Sequence, residues 1–372
     1  MTFFTGTVIR CDKVKKGYEV VLDRTAFFPE EGGQTCDRGT LGGQEMLHAS
    51  EREGVIYHLV REPLREGQTV QGEIEWQKRF SDMQQHSGEH IVSGLMHSRF
   101  GFDNVGFHLG TEAVTMDFNG TISPEQLRQV EYAANEAVAK DIPLHLFWPD
   151  ASQQERISYR SKKEIDGPLR LVEIPGYDIC ACCAPHVERT GQIGLIKITG
   201  MDRYKGGIRV TMLCGFRALA DYNRKEEAAY QTGRLFSVPA ENIGQAAEHH
   251  LQEAAQLRHK LGELENKILL LQVDQIPADS RNACIFSDTA DNASLRRALG
   301  VMCGRFKGIC AAFSGDDRKG WQFVLSVPGG DARIEGKRFA DHFQARGGGS
   351  PEMFQGKTAA SREEIEKYFR EA

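Results

Sequence analysis

The sequence predicts an α+β protein with a small amino-terminal β-barrel, an α/β domain, one long helix and a small carboxy-terminal α/β domain. Short β-forming segments separated by turns recur through the first 80 residues, which favours a small barrel. From Ser81 the apolar residues change to a helical period. From about 240 to 272 they recur at heptad spacing, before Pro277. We therefore expect four regions, at 1–80, 81–235, 240–275 and 278–372.

The barrel is predicted from β-forming runs that lie between glycine-rich and charged turns. A helix follows, because Ser81 and Gln84 have the spacing of a capping box and apolar residues then recur at helical spacing. A second helix is predicted to open at Ser123-Pro124. The predicted strands of these two regions are 7–10, 17–22, 54–60, 70–76, 169–174, 193–198 and 208–213.

The long helix and the tail complete the prediction. A stripe of Leu, Ile and Ala along the helix would be costly if exposed in a monomer, so we expect a homodimer through residues 240–272, with coiled-coil packing. A helix packed into a core is the other interpretation of the same stripe. The tail is predicted to contain strands at 283–286, 309–313 and 322–327, and helices near 332–346 and 361–370.

Composition excludes several classes of protein. The 372 residues include 46 Lys and Arg and 52 Asp and Glu, for a net charge of −6, so a nucleic-acid partner must meet local basic patches. Nine cysteines, an odd number, do not predict a disulfide framework. No apolar run approaches the roughly 18 residues that span a bilayer, and the first residues lack signal-peptide features. We expect a cytoplasmic protein without membrane contact.

A candidate metal site is divided between two segments. His86 and His90 stand at i and i+4, so a helix puts both imidazoles on one face. Cys182 and His186 could complete a tetrahedral set with them, and mixed sulfur–nitrogen ligation suits zinc. Buried cysteines acting as small apolar residues are the alternative. The combination predicts one Zn²⁺ per chain.

The first half of this site also fits the H-x-x-E-H pattern of a zinc protease, with Glu89 as general base. That interpretation needs a further ligand, for which Glu164 and Glu173 are the nearby acidic candidates. It leaves the Cys182/His186 pair unexplained, so we rank it well behind the four-residue site.

With these motifs in view, the chain resembles the editing domain of alanyl-tRNA synthetase and the free-standing AlaX trans-editing proteins. The family pattern D-x-T-x-F-[YF]-P-x-x-G-G-Q-x-x-D-x-G is matched from Asp23 to Gly39, and H-x-x-x-H by His86 and His90. D-x-x-x-C-x-x-x-H-V is matched from Asp178 to Val187. The region after 240 resembles the synthetase carboxy-terminal region, so nearly the whole chain is covered, as in long-form AlaX.

The resemblance implies that residues 81–235 form a zinc-dependent editing domain that hydrolyses serine from wrongly charged tRNA(Ala). It places Thr25 and Gln34 near the substrate, where they would sense the serine hydroxyl; turn capping is the other role for them. Glu89 could assist as a base, or be a solvent-facing helix carboxylate. Editing of glycine, and the choice between water activation and substrate positioning by zinc, stay open.

One departure from the family pattern affects the sulfur ligand. Relatives usually have Gly-Gly-Thr where this chain has Cys183-Ala184-Pro185, so Cys183 or Cys180 could replace Cys182.

Contacts with tRNA are predicted from local basic patches and from a glycine-rich loop at 347–349 that could present amides to phosphate. Solvated charged loops are the common alternative for such runs. A zinc-stabilised tRNA-binding module without hydrolysis is the non-enzymatic alternative. The residues predicted to contact RNA are Arg160, Lys162, Lys163, Lys205, Arg209, Arg318, Lys319 and Gly348.

Overall fold

A computed structural model describes residues 2–111, 113–161 and 169–371 of the chain, and its fold is mixed α+β. The chain divides into two compact units, residues 1–228 and 229–372. The finer domain boundaries expected from the sequence stay predictions.

The first unit opens with a closed barrel of six strands, in the order β1-β2-β5-β4-β3-β6, which confirms the predicted barrel. Its interior is filled by apolar side chains such as Val20, Leu41 and Val60, each fully buried. The sequence patterns missed β3, which has only three residues, and β4, which carries many polar residues. The strands are β1 (Phe3–Val14), β2 (Gly17–Leu22), β3 (Gly39–Leu41), β4 (Gln44–Arg52), β5 (Val55–Val60) and β6 (Thr69–Ile74).

The helix that follows the barrel, α1 (Trp76–Phe100), is the central element of the unit. It starts before the predicted Ser81, because the chain turns directly from β6 into the helix at Glu75, whose side chain makes no cap. The Ser81 hydroxyl does not cap the helix and instead accepts a hydrogen bond from Arg217 (2.8 Å). Residues 84–96 are buried, so the middle of α1 passes through the core.

Two small antiparallel sheets and a second helix surround α1. The four-stranded sheet has the order β12-β13-β8-β7 and the three-stranded sheet β11-β10-β9. The predicted opening of α2 at Ser123 is confirmed, with a full capping box between Ser123 and Gln126. The helices and strands that follow α1 are β7 (Asn104–Leu109), β8 (Val114–Phe118), α2 (Pro124–Ala139), β9 (His145–Phe147), α3 (Ala151–Gln154), β10 (Leu171–Ile174), β11 (Asp178–Ala181), β12 (Ile196–Tyr204), β13 (Gly207–Cys214) and α4 (Gly215–Phe236), which continues past residue 228.

The second unit contains the long helix and a five-stranded sheet in the order β14-β15-β16-β18-β17. The glycine-rich segment predicted to be a loop is the edge strand β17, which pairs with β18. The elements are α5 (Ile243–Gln275), β14 (Ala283–Ser287), α6 (Asn292–Arg305), β15 (Cys310–Asp316), β16 (Gly320–Ser326), α7 (Ala332–Phe343), β17 (Arg346–Gly349), β18 (Phe354–Thr358) and α8 (Arg362–Glu371).

Helix α5 leaves most of its apolar stripe exposed. Leu257 and Leu264 are 59% and 56% exposed, whereas Leu269 and Val273 near the carboxy-terminal end are buried in the core of the second unit. The coiled coil stays a prediction. Among the helices of the described residues, none is long and apolar enough to cross a membrane.

Candidate metal centre

Four side chains from two segments converge beside α1. His86 and His90 lie one turn apart on α1, and Cys182 and His186 come from the segment after β11. Their ligand atoms all lie within 4.8 Å of one another. The Cys182 Sγ is 3.6 Å from His86 Nε2 and 3.3 Å from His186 Nε2. The structure thus brings together the four residues predicted from the sequence as one site.

Hydrogen bonds orient all three imidazoles. Nδ1 of His86 is 2.8 Å from the Gln34 amide oxygen, and Nδ1 of His90 is 2.9 Å from an Asp178 carboxylate oxygen. Since those oxygens only accept, both Nδ1 atoms donate a proton, and Nε2 is the nitrogen that each ring turns toward the other ligands.

His186 follows the same arrangement. Its Nδ1 is 3.0 Å from the Ser87 hydroxyl, which is itself held by the Val187 amide (3.2 Å).

The donor set fits zinc. In a tetrahedral site with ordinary Zn–N and Zn–S bonds, a nitrogen and a sulfur ligand lie about 3.5 Å apart, and the two observed separations lie close to that value. Three imidazole nitrogens and one thiolate suit zinc better than harder cations, which are bound mainly by oxygen ligands. These residues could therefore hold a zinc ion, with four protein ligands.

Cys180, Cys182 and Cys183 all lie near the metal centre, but their sulfur atoms face different neighbours. Burial raises the pKa of the Cys182 thiol to about 12, so metal binding would have to displace its proton. Cys183 is exposed, and its sulfur faces Glu31 and Gly32 of the barrel loop. Cys180 lies beside His90 and Asp178. Cys182 is therefore the cysteine that faces all three imidazoles.

Asp178 connects His90 to an arginine. Burial would raise the pKa of this carboxyl, but the hydrogen bonds from His90 and Arg160 outweigh burial and hold the pKa below its usual value. Arg160 binds both carboxylate oxygens, at 2.7 and 2.8 Å, and its side chain is only 12% exposed. The Arg160 guanidinium is thus paired with Asp178, and the predicted phosphate contact of this residue stays a prediction.

Gly94 allows this arrangement. A Cβ at Gly94 would lie 2.2 Å from the Tyr177 carbonyl oxygen, so only glycine permits α1 to approach the start of β11 this closely. The close approach brings Asp178 to His90.

Glu89 lies next to the cluster and is fully buried, so the solvent-facing alternative for this carboxylate is wrong. Its Oε1 accepts hydrogen bonds from Ser93 Oγ and Asn104 Nδ2, both at 2.6 Å. Its Oε2 is 4.0 Å from His90 Nε2, the atom that carries the metal-facing lone pair. A carboxylate held in this way is placed to accept a proton from a group that lies beside the centre.

The barrel loop between β2 and β3 reaches the metal centre through Gln34. Asp37 of this loop accepts a hydrogen bond from the Phe28 amide (2.6 Å) and forms an ion pair with Arg79 of α1. The Gly33 carbonyl accepts from the Leu109 amide of β7 (2.8 Å), and a Cβ at Gly33, where φ is +84°, would lie 2.7 Å from the Phe107 carbonyl oxygen. This docking puts the Gln34 side chain against His86.

Of the two loop residues predicted to sense the substrate, Gln34 is buried and Thr25 is half-buried. The Gln34 Nε2 has no hydrogen-bond partner among the described residues, so one polar group of this side chain is available to a ligand. Thr25 Oγ1 is 2.9 Å from His58 Nε2 of β5, a histidine that the sequence patterns did not single out.

The remaining predicted RNA-contacting residues are spread over the chain. Lys205 is exposed in the turn between β12 and β13, whereas Arg209 is bound to both carboxylate oxygens of Asp117 (2.6 and 2.8 Å). In the second unit, Arg318, Lys319 and Gly348 are exposed. Lys162 and Lys163 lie outside the described residues, as does Glu164, one proposed protease ligand.

Of the two acidic residues that the protease alternative offers as a further ligand, Glu173 is the one that the structure describes. Glu173 lies on β10, where its carboxylate is 3.1 Å from His145 Nδ1, and it is absent from the group of donors around His86 and His90.

Ser87, Asn104 and His58 support the site but were missed by the sequence patterns. Ser87 sits inside the H-x-x-x-H motif, beside the ligands, and this position was the one signal available for it.

Comparison with known proteins agrees with this geometry. Residues 169–211, which contain Cys182 and His186, match the family described as the threonyl and alanyl tRNA synthetase second additional domain. Residues 6–78, which form the barrel, match tRNA synthetases class II (A). These two segments of the first unit are thus similar to parts of aminoacyl-tRNA synthetases.

Similarity to individual proteins extends over nearly the whole chain. It is 28% identical to the alanyl-tRNA editing protein Aarsd1-A of Xenopus laevis, over 94% of this chain and 87% of that protein. Aarsd1 of Danio rerio is 27% identical over 95% of this chain and 88% of its own length. The alanine–tRNA ligase of Methanopyrus kandleri is 31% identical over 77% of this chain but only 33% of the ligase. These matches confirm the resemblance to the alanyl-tRNA synthetase editing-domain family.

A solved structure of the exonuclease RecJ bound to manganese also aligns with 37% of this chain and 35% of its own, at 15% identity. Its TM-score of 0.26 is too low to establish a shared fold.

Proposed function

We propose that this protein hydrolyses the ester between a wrongly attached amino acid, serine first of all, and tRNA(Ala). The observation that carries the proposal is the buried cluster of His86, His90, Cys182 and His186 with Glu89 beside it. The similarity to alanyl-tRNA editing proteins over nearly the whole chain supports the substrate class. Glycine is a second amino acid that the same site could release.

The ligands of one zinc ion would be His86, His90, Cys182 and His186. When bound, zinc supplies a positive charge that can polarise an ester carbonyl or lower the pKa of a water. Since four protein ligands complete a tetrahedron and leave no open position for a water, this donor set favours holding the site in shape over activating a water. Glu89 would accept the proton of the attacking water, because its Oε2 lies on the metal-facing side of His90.

Discrimination against alanine would depend on the polar groups of the barrel loop. A site built to bind a hydroxyl leaves polar groups unpaired when the hydroxyl is missing, and this can reject the wrong substrate by a large factor. The unpartnered Gln34 Nε2 and the half-buried Thr25 hydroxyl are the groups we propose for this role.

Time courses on tRNA(Ala) charged with serine or alanine test the function. We expect the purified protein to release serine at least about 100-fold faster than alanine, because only serine satisfies the polar groups of the loop. Binding of both charged tRNAs without release would favour the tRNA-binding module. Peptide cleavage without deacylation would favour the protease.

A pair of cysteine variants tests the sulfur ligand. Cys182→Ala is expected to reduce the zinc content well below one per chain, since Cys182 is the thiol that faces the three imidazoles. Cys183→Ala is the matched control and should retain zinc, because its sulfur faces the barrel loop. Elemental analysis of both purified variants gives the answer, and the reverse pattern would assign the ligand to Cys183.

We also propose a homodimer through α5. Its exposed leucines have the spacing of a helix seam, and burying them against a second copy would remove apolar surface from water. Replacing Leu257 and Leu264 by Glu in the full chain should therefore give a monomer by light scattering. Gln252→Glu with Gln256→Glu adds the same charge on the same helix and should leave the dimer intact. A wild-type monomer would refute the proposal.

The exposed residues proposed to contact tRNA are Lys205 in the first unit and, in the second unit, Arg318, Lys319 and Gly348. Contacts remote from the ester raise affinity without changing the chemical step.

The cytoplasmic location stays a prediction.

A further inference from the structure

A buried histidine inside the barrel contacts the proposed specificity residue Thr25. His58 is the polar member of the otherwise apolar inward side of β5, and it is fully buried. Its ring lies 5.7 Å from the ring of Phe27, among the apolar side chains of the barrel. Burying a polar ring costs free energy unless its nitrogens have partners, so the identity of those partners decides what His58 does.

Both ring nitrogens have partners, and one of them fixes the tautomer. Nδ1 is 3.0 Å from the main-chain carbonyl oxygen of Val20, which can only accept a hydrogen bond. Nδ1 therefore carries the proton. In the neutral ring Nε2 is then a bare acceptor, and it lies 2.9 Å from Thr25 Oγ1.

The ring is neutral around neutral pH. Burial lowers the pKa of His58, and the hydrogen bond to Val20 opposes this shift only in part. Because protonation is disfavoured, Nε2 keeps its lone pair and continues to accept from Thr25.

The consequence for Thr25 is that its hydroxyl proton is already used. The Thr25 hydroxyl donates to His58, and its oxygen accepts from the Phe27 amide at 3.2 Å. A hydroxyl has one proton and two lone pairs, so one acceptor position remains. Thr25 is half-buried, which leaves part of the side chain accessible to a ligand.

We propose that His58 is a positioning residue that makes Thr25 a hydrogen-bond acceptor only, so that the site favours amino acids whose side chain donates a hydrogen bond. This inference rests on the proposed deacylase function. Serine can donate from its hydroxyl to Thr25, whereas alanine leaves the Thr25 lone pair without a partner, which is unfavourable in a site that excludes water. His58 would act through Thr25 without touching the substrate.

Nuclear magnetic resonance of the full chain labelled with ¹⁵N in histidine tests the tautomer without any activity measurement. We expect the His58 ring at pH 7 to be neutral, with the proton on Nδ1. A proton on Nε2, or a doubly protonated ring, would make Thr25 an acceptor from His58 and would overturn the proposal.

A double-mutant cycle tests the effect on selectivity. Thr25→Val and His58→Phe should each lower the serine-to-alanine ratio of kcat/KM by about tenfold or more, since each removes the oriented acceptor. In the Thr25→Val background, His58→Phe should have little further effect. Thr25→Ser keeps a hydroxyl and should retain most of the selectivity.

His48→Phe, on the neighbouring strand β4, is the matched histidine control and should leave selectivity unchanged. If His58→Phe keeps wild-type selectivity, or if the two changes act additively, His58 only supports the barrel and the inference is wrong. This failure is distinct from failure of the proposed function, in which the wild type itself would release no serine. Thermal unfolding of each variant separates loss of selectivity from loss of fold.

Discussion

Replacing His90 by alanine is expected to remove the metal and nearly all activity. The zinc content should fall from about one per chain to a small fraction, because the variant loses one of four ligands and the imidazole that Asp178 orients. Deacylation of seryl-tRNA(Ala) should fall by at least about 100-fold. Elemental analysis and single-turnover rates on the same preparation measure both effects.

His97→Ala is the matched control on the same helix. His97 is half-exposed and bonded to Asp103 at 2.8 Å, away from the four ligands, so the variant should keep zinc and activity. Because a bound metal stabilises the folded state, His90→Ala should also melt at a lower temperature than His97→Ala. Full zinc retention in His90→Ala would show that His90 is not a ligand.

Glu89→Gln is expected to lower kcat without changing the fold or the metal content. The glutamine oxygen can still accept the hydrogen bonds of Ser93 and Asn104, so the fold and the metal content should be retained. The variant lacks the carboxylate that would accept the proton of water, so kcat should fall by about 100-fold or more while KM changes little.

Glu125→Gln, at an exposed side chain of α2, is the control and should leave kcat unchanged. If Glu89→Gln keeps the wild-type kcat, Glu89 is not the proton acceptor and its role is structural. Equal loss of zinc and activity would likewise argue against the base.

The sequence predicted those parts of the site that depend on local spacing. His86 and His90 are separated by one helical turn, and Cys182 and His186 stand four residues apart, so both pairs could be found without knowing the fold. The contacts that support these ligands could not be found in this way. The contact of Gln34 with His86, for example, depends on how the barrel loop docks on β7.

Arg160 shows what a charge pattern along the sequence leaves out. It stands in a basic run, which suggested contact with phosphate, but its carboxylate partner is Asp178, 18 residues further along the chain. The start of α1 was predicted too late for a related reason: Ser81 has capping chemistry, yet β6 leads into the helix before that residue is reached. In both cases a tertiary contact or a connection outweighed a local preference.

The central claim, a metal-dependent deacylase centred on His86, His90, Cys182 and His186, is tested most directly by removing and restoring the metal. Deacylation of seryl-tRNA(Ala) should be measured on wild-type protein after chelation, and again after one equivalent of zinc is added. We predict that activity is lost with the metal and returns with zinc, and that His90→Ala shows no recovery. Full activity of protein verified to be metal-free would contradict this account.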